Sequence, residues 1–222
     1  MLSHRFRPRI LAAAILILSA CSTSPPDAPP ALSVTQGGNN QWASPSSPLP
    51  GAIGVQLVLA GEPQAGVTIS FSTTSGTITP ATVSTEANGI AAATWTLPAG
   101  ATPRAVTAIA HINRLEAPDV VFTAFVVPAA NAVVTVNNNL FSPVPRTIAA
   151  GQTVTWLWLS DAVGHNVTPL GVEPATSGAL RDGPSVYSWT FPTSGNYTFY
   201  CQAHGTPAGT GMAGVIVVQP PT

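Results

Sequence analysis

From Ala31 onward no stretch of this chain has helical periodicity; short apolar–polar alternations and turn signals recur instead, roughly every eight to twelve residues. Alternation puts successive side chains on opposite faces of a strand, and each apolar sheet face must then be buried against another sheet. The expected fold class is all-β, built from sandwiches. Val67–Phe71 sets apolar residues on one face and hydroxyls on the other. Ile90–Leu97 does the same with Ala91, Ala93, Trp95 and Leu97, just after the hairpin signal Asn88-Gly89. Arg104–His111 and Val120–Val127 read as closing strands. Pro128–Ala132 is a short joint of small residues. A second β segment follows, with strands at Val133–Val136, Thr153–Leu159, Ser185–Phe191, Tyr197–Cys201 and Ala213–Val218. In Thr153–Leu159 the residues Val154, Trp156 and Trp158 share a face; in Ser185–Phe191, Tyr187, Trp189 and Phe191 do. The two segments do not look like repeats of each other, so two different sandwich domains are expected, at 31–127 and 133–219, with 128–132 as linker.

Charge excludes whole classes of partner. Only 7% of the residues are charged and there is no lysine. Three of the seven basic residues, Arg5, Arg7 and Arg9, sit in the first ten positions, ahead of a nine-residue apolar run, Ile10–Leu18. That run is too short for a bilayer, which needs about 20 residues; its length and basic flank fit an export signal. Without that end four Arg face eight acids, so the remainder is acidic and carries no basic footprint for nucleic acid. Leu18-Ser19-Ala20-Cys21 resembles the bacterial lipoprotein box. The resemblance implies cleavage after residue 20 and acylation of Cys21, and several acyl chains make a stable anchor. Ser22 after the Cys favours the outer membrane by the same analogy, so the expected location is the cell envelope, facing the periplasm or the cell surface. Ser22–Pro30 holds four prolines in nine residues, so 21–30 reads as an extended tether.

Within 31–127, Gly37–Gln41, Gly61–Phe71 and Gly76–Thr96 resemble the bacterial immunoglobulin-like domains of surface proteins. The resemblance implies an immunoglobulin-like sandwich and says little about function, because that fold hosts many roles. His111 stands on a strand of this segment without an evident partner and reads as structural.

The chemistry lies in the second segment. Cys201-Gln-Ala-His204 is followed, after seven residues, by Met212, and His165 lies between Gly164 and Asn166 about 35 residues upstream. A thiolate, two imidazoles and a thioether form a soft, mixed S/N donor set suited to copper, and a trigonal His₂Cys site with a long axial Met is the blue-copper geometry. Cys201 can end a strand, His204 follow on a loop and Met212 begin the next strand, so that one turn offers three donors to one point. With Cys21 committed to lipid, Cys201 has no disulfide partner, and a lone thiol in an oxidising compartment is a liability unless metal occupies it.

Asn139–Pro143, Ala150–Trp156, Gly164–Val167, Phe191–Cys201 and Gly211–Val217 resemble the cupredoxins, plastocyanin-like group, over nearly all of 131–219. The resemblance implies a Greek-key sandwich with one copper ion held by His165, Cys201, His204 and Met212, and with Asn166 helping to hold the thiolate by hydrogen bonding. The seven-residue interval from His204 to Met212 is longer than in the compact plastocyanin-like sites. The expected role is one-electron transfer with a redox partner in the cell envelope. Two alternatives stay open: copper storage or delivery without electron traffic, and an interaction or adhesion role led by the immunoglobulin-like domain. An enzyme is not expected. A multicopper oxidase needs many more His ligands than the three that remain after export (His111, His165, His204), and no nucleophile triad, nucleotide loop or paired-carboxylate motif is present.

Overall fold

The computed structural model describes residues 30–35, 38–113 and 117–221. The leader, Cys21, nearly all of the tether and Gly37 lie outside them. Among the described residues every regular element is a strand. The expected all-β class is what the chain adopts.

Among the described residues four sheets pair off around two cores. The first sheet joins β1 (Ala31–Val34), β3 (Ile53–Leu59), β8 (Ile90–Thr96) and β6 (Thr77–Thr79), with β4 (Glu62–Pro63) beside β3. The second runs β2 (Gln41–Ala43), β10 (Val120–Val126), β9 (Arg104–Ile112), β5 (Thr68–Thr73), β7 (Thr82–Ser84). Between them lie Ile53, Val55, Leu57, Ile69, Ala91, Ala93, Trp95, Ala108, Phe122 and Ala124, all buried. The alternation read in Ile90–Leu97 is thus the inward face of β8. His111 is not without a partner: Nδ1 lies 2.7 Å from the Asp119 carboxylate, at the end of the β9–β10 hairpin.

The third sheet runs β12 (Leu140–Ser142), β11 (Ala132–Asn137), β14 (Thr153–Trp158), β16 (Ser185–Thr190), and the fourth β13 (Arg146–Ala149), β18 (Gly211–Gln219), β17 (Gly195–Gly205), β15 (Thr168–Pro169). The chain crosses repeatedly between these two sheets, which is why β11 and β14 pair in parallel, as do β13 and β18. Aromatic rings fill the space between the sheets. Trp156 lies 5.5 Å from Phe199 edge-on and 5.5 Å from Tyr187, and Phe141 lies 4.9 Å from Phe199. Cys201 and Met212 belong to this core.

A third cluster joins the two halves. Phe125, Val127 and Leu157 are buried together, with Ala105, Val133, Leu159 and Val186 packed around them. Leu157 points away from Trp156 and Trp158, so β14 is covered on both faces; Phe125 likewise points away from Ala124 and Val126. Fully burying side chains of this size is worth about 1.5–3 kcal/mol each. The joint itself is a tight turn, Asn131 N–H donating to the Pro128 carbonyl at 2.9 Å, and the Asn131 amide reaches Thr155 Oγ1 at 2.9 Å.

Candidate metal centre

Three donors meet at one end of the second sandwich. The hairpin β17–β18 is regular from Gly195↔Val218 to Tyr200↔Ala213 and resumes at Gly205↔Gly211. Between these pairs the four residues Cys201–His204 face Met212 alone. The surplus bulges out, as extra residues in a ladder must, and it carries both Cys201 and His204. The strand therefore does not end at Cys201: it continues through the bulge to Gly205, and His204 is within it rather than on a following loop. The reason is that the longer interval closes on itself as a hairpin tip. Thr206 N–H donates to the Thr210 carbonyl at 3.0 Å and their hydroxyls meet at 2.7 Å. The additional length is absorbed in that tip, and Met212 keeps its place in the ladder opposite the bulge, 2% exposed. Two glycines permit this. A Cβ on Gly205 would collide with the Met212 carbonyl, and one on Gly211, at φ 72°, with the His204 carbonyl.

His165 arrives from the other sheet, on the loop that links β14 to β15. Thr168 pairs with Tyr200, which lays this loop along β17 beside Cys201. The His165 backbone is held from both sides: its N–H donates to the Arg181 carbonyl and its carbonyl accepts from Arg181 N–H, each at 3.0 Å, while Trp158 Nε1 donates to the same carbonyl at 3.1 Å. The Arg181 guanidinium stacks 5.2 Å from the Trp158 ring and donates to the Ser177 carbonyl. Asp182 accepts from Gly164 N–H at 2.8 Å.

Asn166, fully buried, ties the loop to the strand. Its Nδ2 donates to Gln202 Oε1 at 2.7 Å and to the Gly178 carbonyl at 3.0 Å, and its Oδ1 accepts from Gln202 N–H at 3.0 Å. Its side chain thus acts on the peptide next to Cys201; the contacts of the sulfur itself are with the Gly164 carbonyl and the two imidazoles. Sequence reading passed over Gln202, Ser177, Arg181 and Asp182. The one available signal was the Arg181-Asp182 pair, adjacent charges in a chain almost free of them.

The donor atoms form a compact triangle. Cys201 Sγ lies 3.7 Å from His165 Nδ1 and 3.6 Å from His204 Nδ1, and the two Nδ1 atoms are 3.1 Å apart. A triangle with these edges has a circumradius of about 2.0 Å, the length of a metal–imidazole bond of ~2.0–2.1 Å. Lone pairs from three atoms facing one point repel unless a cation or a proton stands between them, so the donor set fits a single small ion. Cys201 and His165 are buried and His204 is exposed. Burial, first, and the neighbouring His204 hold the His165 imidazole below its ordinary pKa, with Asp182 opposing. The buried ring is thereby kept neutral, the form that binds metal.

The segment that carries this site is similar to known proteins. The family model described as copper binding proteins, plastocyanin/azurin family, matches residues 128–219. A plastocyanin from Scenedesmus fuscus is 34% identical over 90 residues, spanning 36% of this chain and 87% of that protein. A plastocyanin from Prochlorothrix hollandica is 39% identical over 88 residues, spanning 36% of this chain and 63% of that one. Among solved structures, amicyanin from Paracoccus versutus is similar at 31% identity, with a TM-score of 0.34, over 42% of this chain and 85% of that chain. Through residues 128–219 the chain belongs to the plastocyanin/azurin family of copper-binding proteins, with a single copper ion as the cofactor its His–Cys–His group suits.

Proposed function

We propose that this protein is a one-electron carrier with a mononuclear type 1 copper centre, held by His165, Cys201, His204 and Met212. The observation that carries the reading is the donor triangle, two of its corners sealed in the core and the third open to solvent. Copper in such a set supplies a Cu(I)/Cu(II) couple. The protein's own contribution is rigidity. His165 is fixed by Arg181 and Trp158, and the peptide after Cys201 is fixed by Asn166, so the donors stay in place whichever oxidation state is present. Burial of Cys201 excludes water from the thiolate. The exposed imidazole edge of His204 is the route by which a redox partner exchanges the electron. The position of Met212 opposite the Cys201–His204 bulge supports its thioether as the weak fourth donor.

The basic leader, the apolar run and Cys21 support export and lipid anchoring in the cell envelope. The immunoglobulin-like motifs of 31–127, together with the sandwich they fold into, support an immunoglobulin-like spacer that carries the copper domain away from the membrane. The test is voltammetry of the copper-loaded protein. A reversible one-electron wave, with copper retained in both oxidation states, is the expected result; loss of the ion on reduction would favour copper delivery instead.

A further inference from the structure

We infer that the N-terminal sandwich is a positioning part of the metal centre, and that Asn40 is the residue through which it acts. The loop that delivers His165 begins where β14 ends, and its first turn is gripped from the other domain. Ser160 N–H donates to Asn40 Oδ1 at 2.9 Å, and Asn39 Nδ2 reaches Ser160 Oγ at 3.4 Å. These two asparagines are themselves anchored to β10. Asn40 N–H donates to the Thr123 carbonyl at 2.8 Å, and Asn39 Oδ1 accepts from Thr123 N–H at 2.7 Å and from Asn40 N–H at 2.9 Å. Asn40 adopts φ 58°, a left-handed conformation that Asn tolerates better than most residues. Just before the grip, Leu157 is buried with Phe125 and Val127, and the half-buried Leu159 packs against them.

From Ser160 to His165 the loop has little freedom left. Ala162 N–H donates to the Leu159 carbonyl at 3.0 Å, Gly183 N–H to the Ala162 carbonyl at 2.8 Å, and Gly164 N–H to Asp182 at 2.8 Å. The second sandwich fixes the His165 end of the loop through Arg181; the first sandwich fixes its beginning through Asn40. Domains joined by a short linker move against each other by default unless the interface is hydrophobic and well packed. Here a buried apolar seam and an asparagine clamp meet at the base of a ligand loop. The first domain is therefore built into the centre's frame rather than strung beside it.

The inference goes beyond the electron-carrier reading, and it is tested in the metal-free full-length protein as well as with copper. Asn40→Gly keeps the backbone conformation accessible and removes the acceptor. A hydrogen bond of this kind changes a local opening equilibrium about three- to tenfold. Amide exchange at Ser160, Ala162, Gly164 and His165 is expected to accelerate by about that factor in the variant, with the β14 amides unchanged. Copper dissociation should accelerate and the thiolate–copper absorption band should shift. Asn40→Asp, which retains an acceptor oxygen, should restore both. If Asn40→Gly does not fold, Ser160→Pro deletes the same bond from the other side and reports on the remaining three amides. Exchange within twofold of the unmodified protein in these variants, or no rescue by Asn40→Asp, overturns the inference. An altered exchange rate with no type 1 band in any variant would instead tell against the electron-carrier reading alone.

Discussion

Replacing Asn166 with Ala tests how the two sheets are locked at the metal end. Asn166 is fully buried and its amide makes three hydrogen bonds, to the Gly178 carbonyl, to Gln202 Oε1 and from Gln202 N–H. Each is worth about 1 kcal/mol net, and a buried partner left unpaired costs about 1–3 kcal/mol. Gln202 is exposed, so its side chain and about half of the lost bonding recover with water, which places the cost at about 2–4 kcal/mol. Denaturant unfolding of the metal-free variant measures it directly, as a lower midpoint at unchanged slope. Because the same amide joins the His165 loop to the peptide after Cys201, copper affinity should fall as well, by about 10–100-fold, the usual cost of losing a ligand-orienting partner. Asn166→Asp should be worse than Ala in stability, since it buries a carboxylate and sets it against the Gly178 carbonyl. A loss below about 0.5 kcal/mol in the Ala variant, with copper affinity unchanged, would refute the locking role.

Acid should weaken the fold and the site together. His165 titrates below the ordinary histidine value of about 6.5, so as pH falls beneath that point the unfolded chain takes up a proton the native state refuses, and stability drops until the native imidazole protonates; unfolding midpoints of the metal-free protein between pH 7 and pH 5 check the sign, and a flat profile contradicts it. Gly211→Ala places a Cβ at φ 72° against the His204 carbonyl, so we expect a loss of about 1–3 kcal/mol and a displaced His204, read by thermal unfolding and by copper retention. Leu157→Ala opens the seam between the sandwiches and should cost about 2–5 kcal/mol, measured by denaturant unfolding; a change under 1 kcal/mol would mean that the seam is not a packed core.

Local patterning carried much of the fold into view. The inward faces of β8 and β14 follow from alternation alone, because Ala91, Ala93 and Trp95, and Val154, Trp156 and Trp158, fall on single faces. Cys201, His204 and Met212 could be grouped because they lie within one hairpin. His165 could be joined to them only by residue type and by the cupredoxin resemblance, since its place beside Cys201 depends on the pairing of β15 with β17, a long-range contact no local pattern encodes. The burial of Leu157 and Phe125 on the faces turned away from their own cores escaped for a similar reason: the surface that covers each belongs to the other half of the chain. His111 looked solitary because Asp119 is eight positions away and becomes its neighbour only through the β9–β10 pairing. The continuation of β17 past Cys201 was hidden in the Gly205-to-Gly211 segment, whose glycines and threonines read as loop but close as a hairpin tip.

Titration of the metal-free protein with Cu(II), followed by optical and electron-spin-resonance spectra, bears most directly on the centre. One equivalent of copper should produce an intense blue thiolate-to-copper absorption that saturates there and vanishes in Cys201→Ser. A pale Cu(II) complex, with the spectrum unaltered by Cys201→Ser, would mean that the sulfur does not join the two imidazoles around the ion.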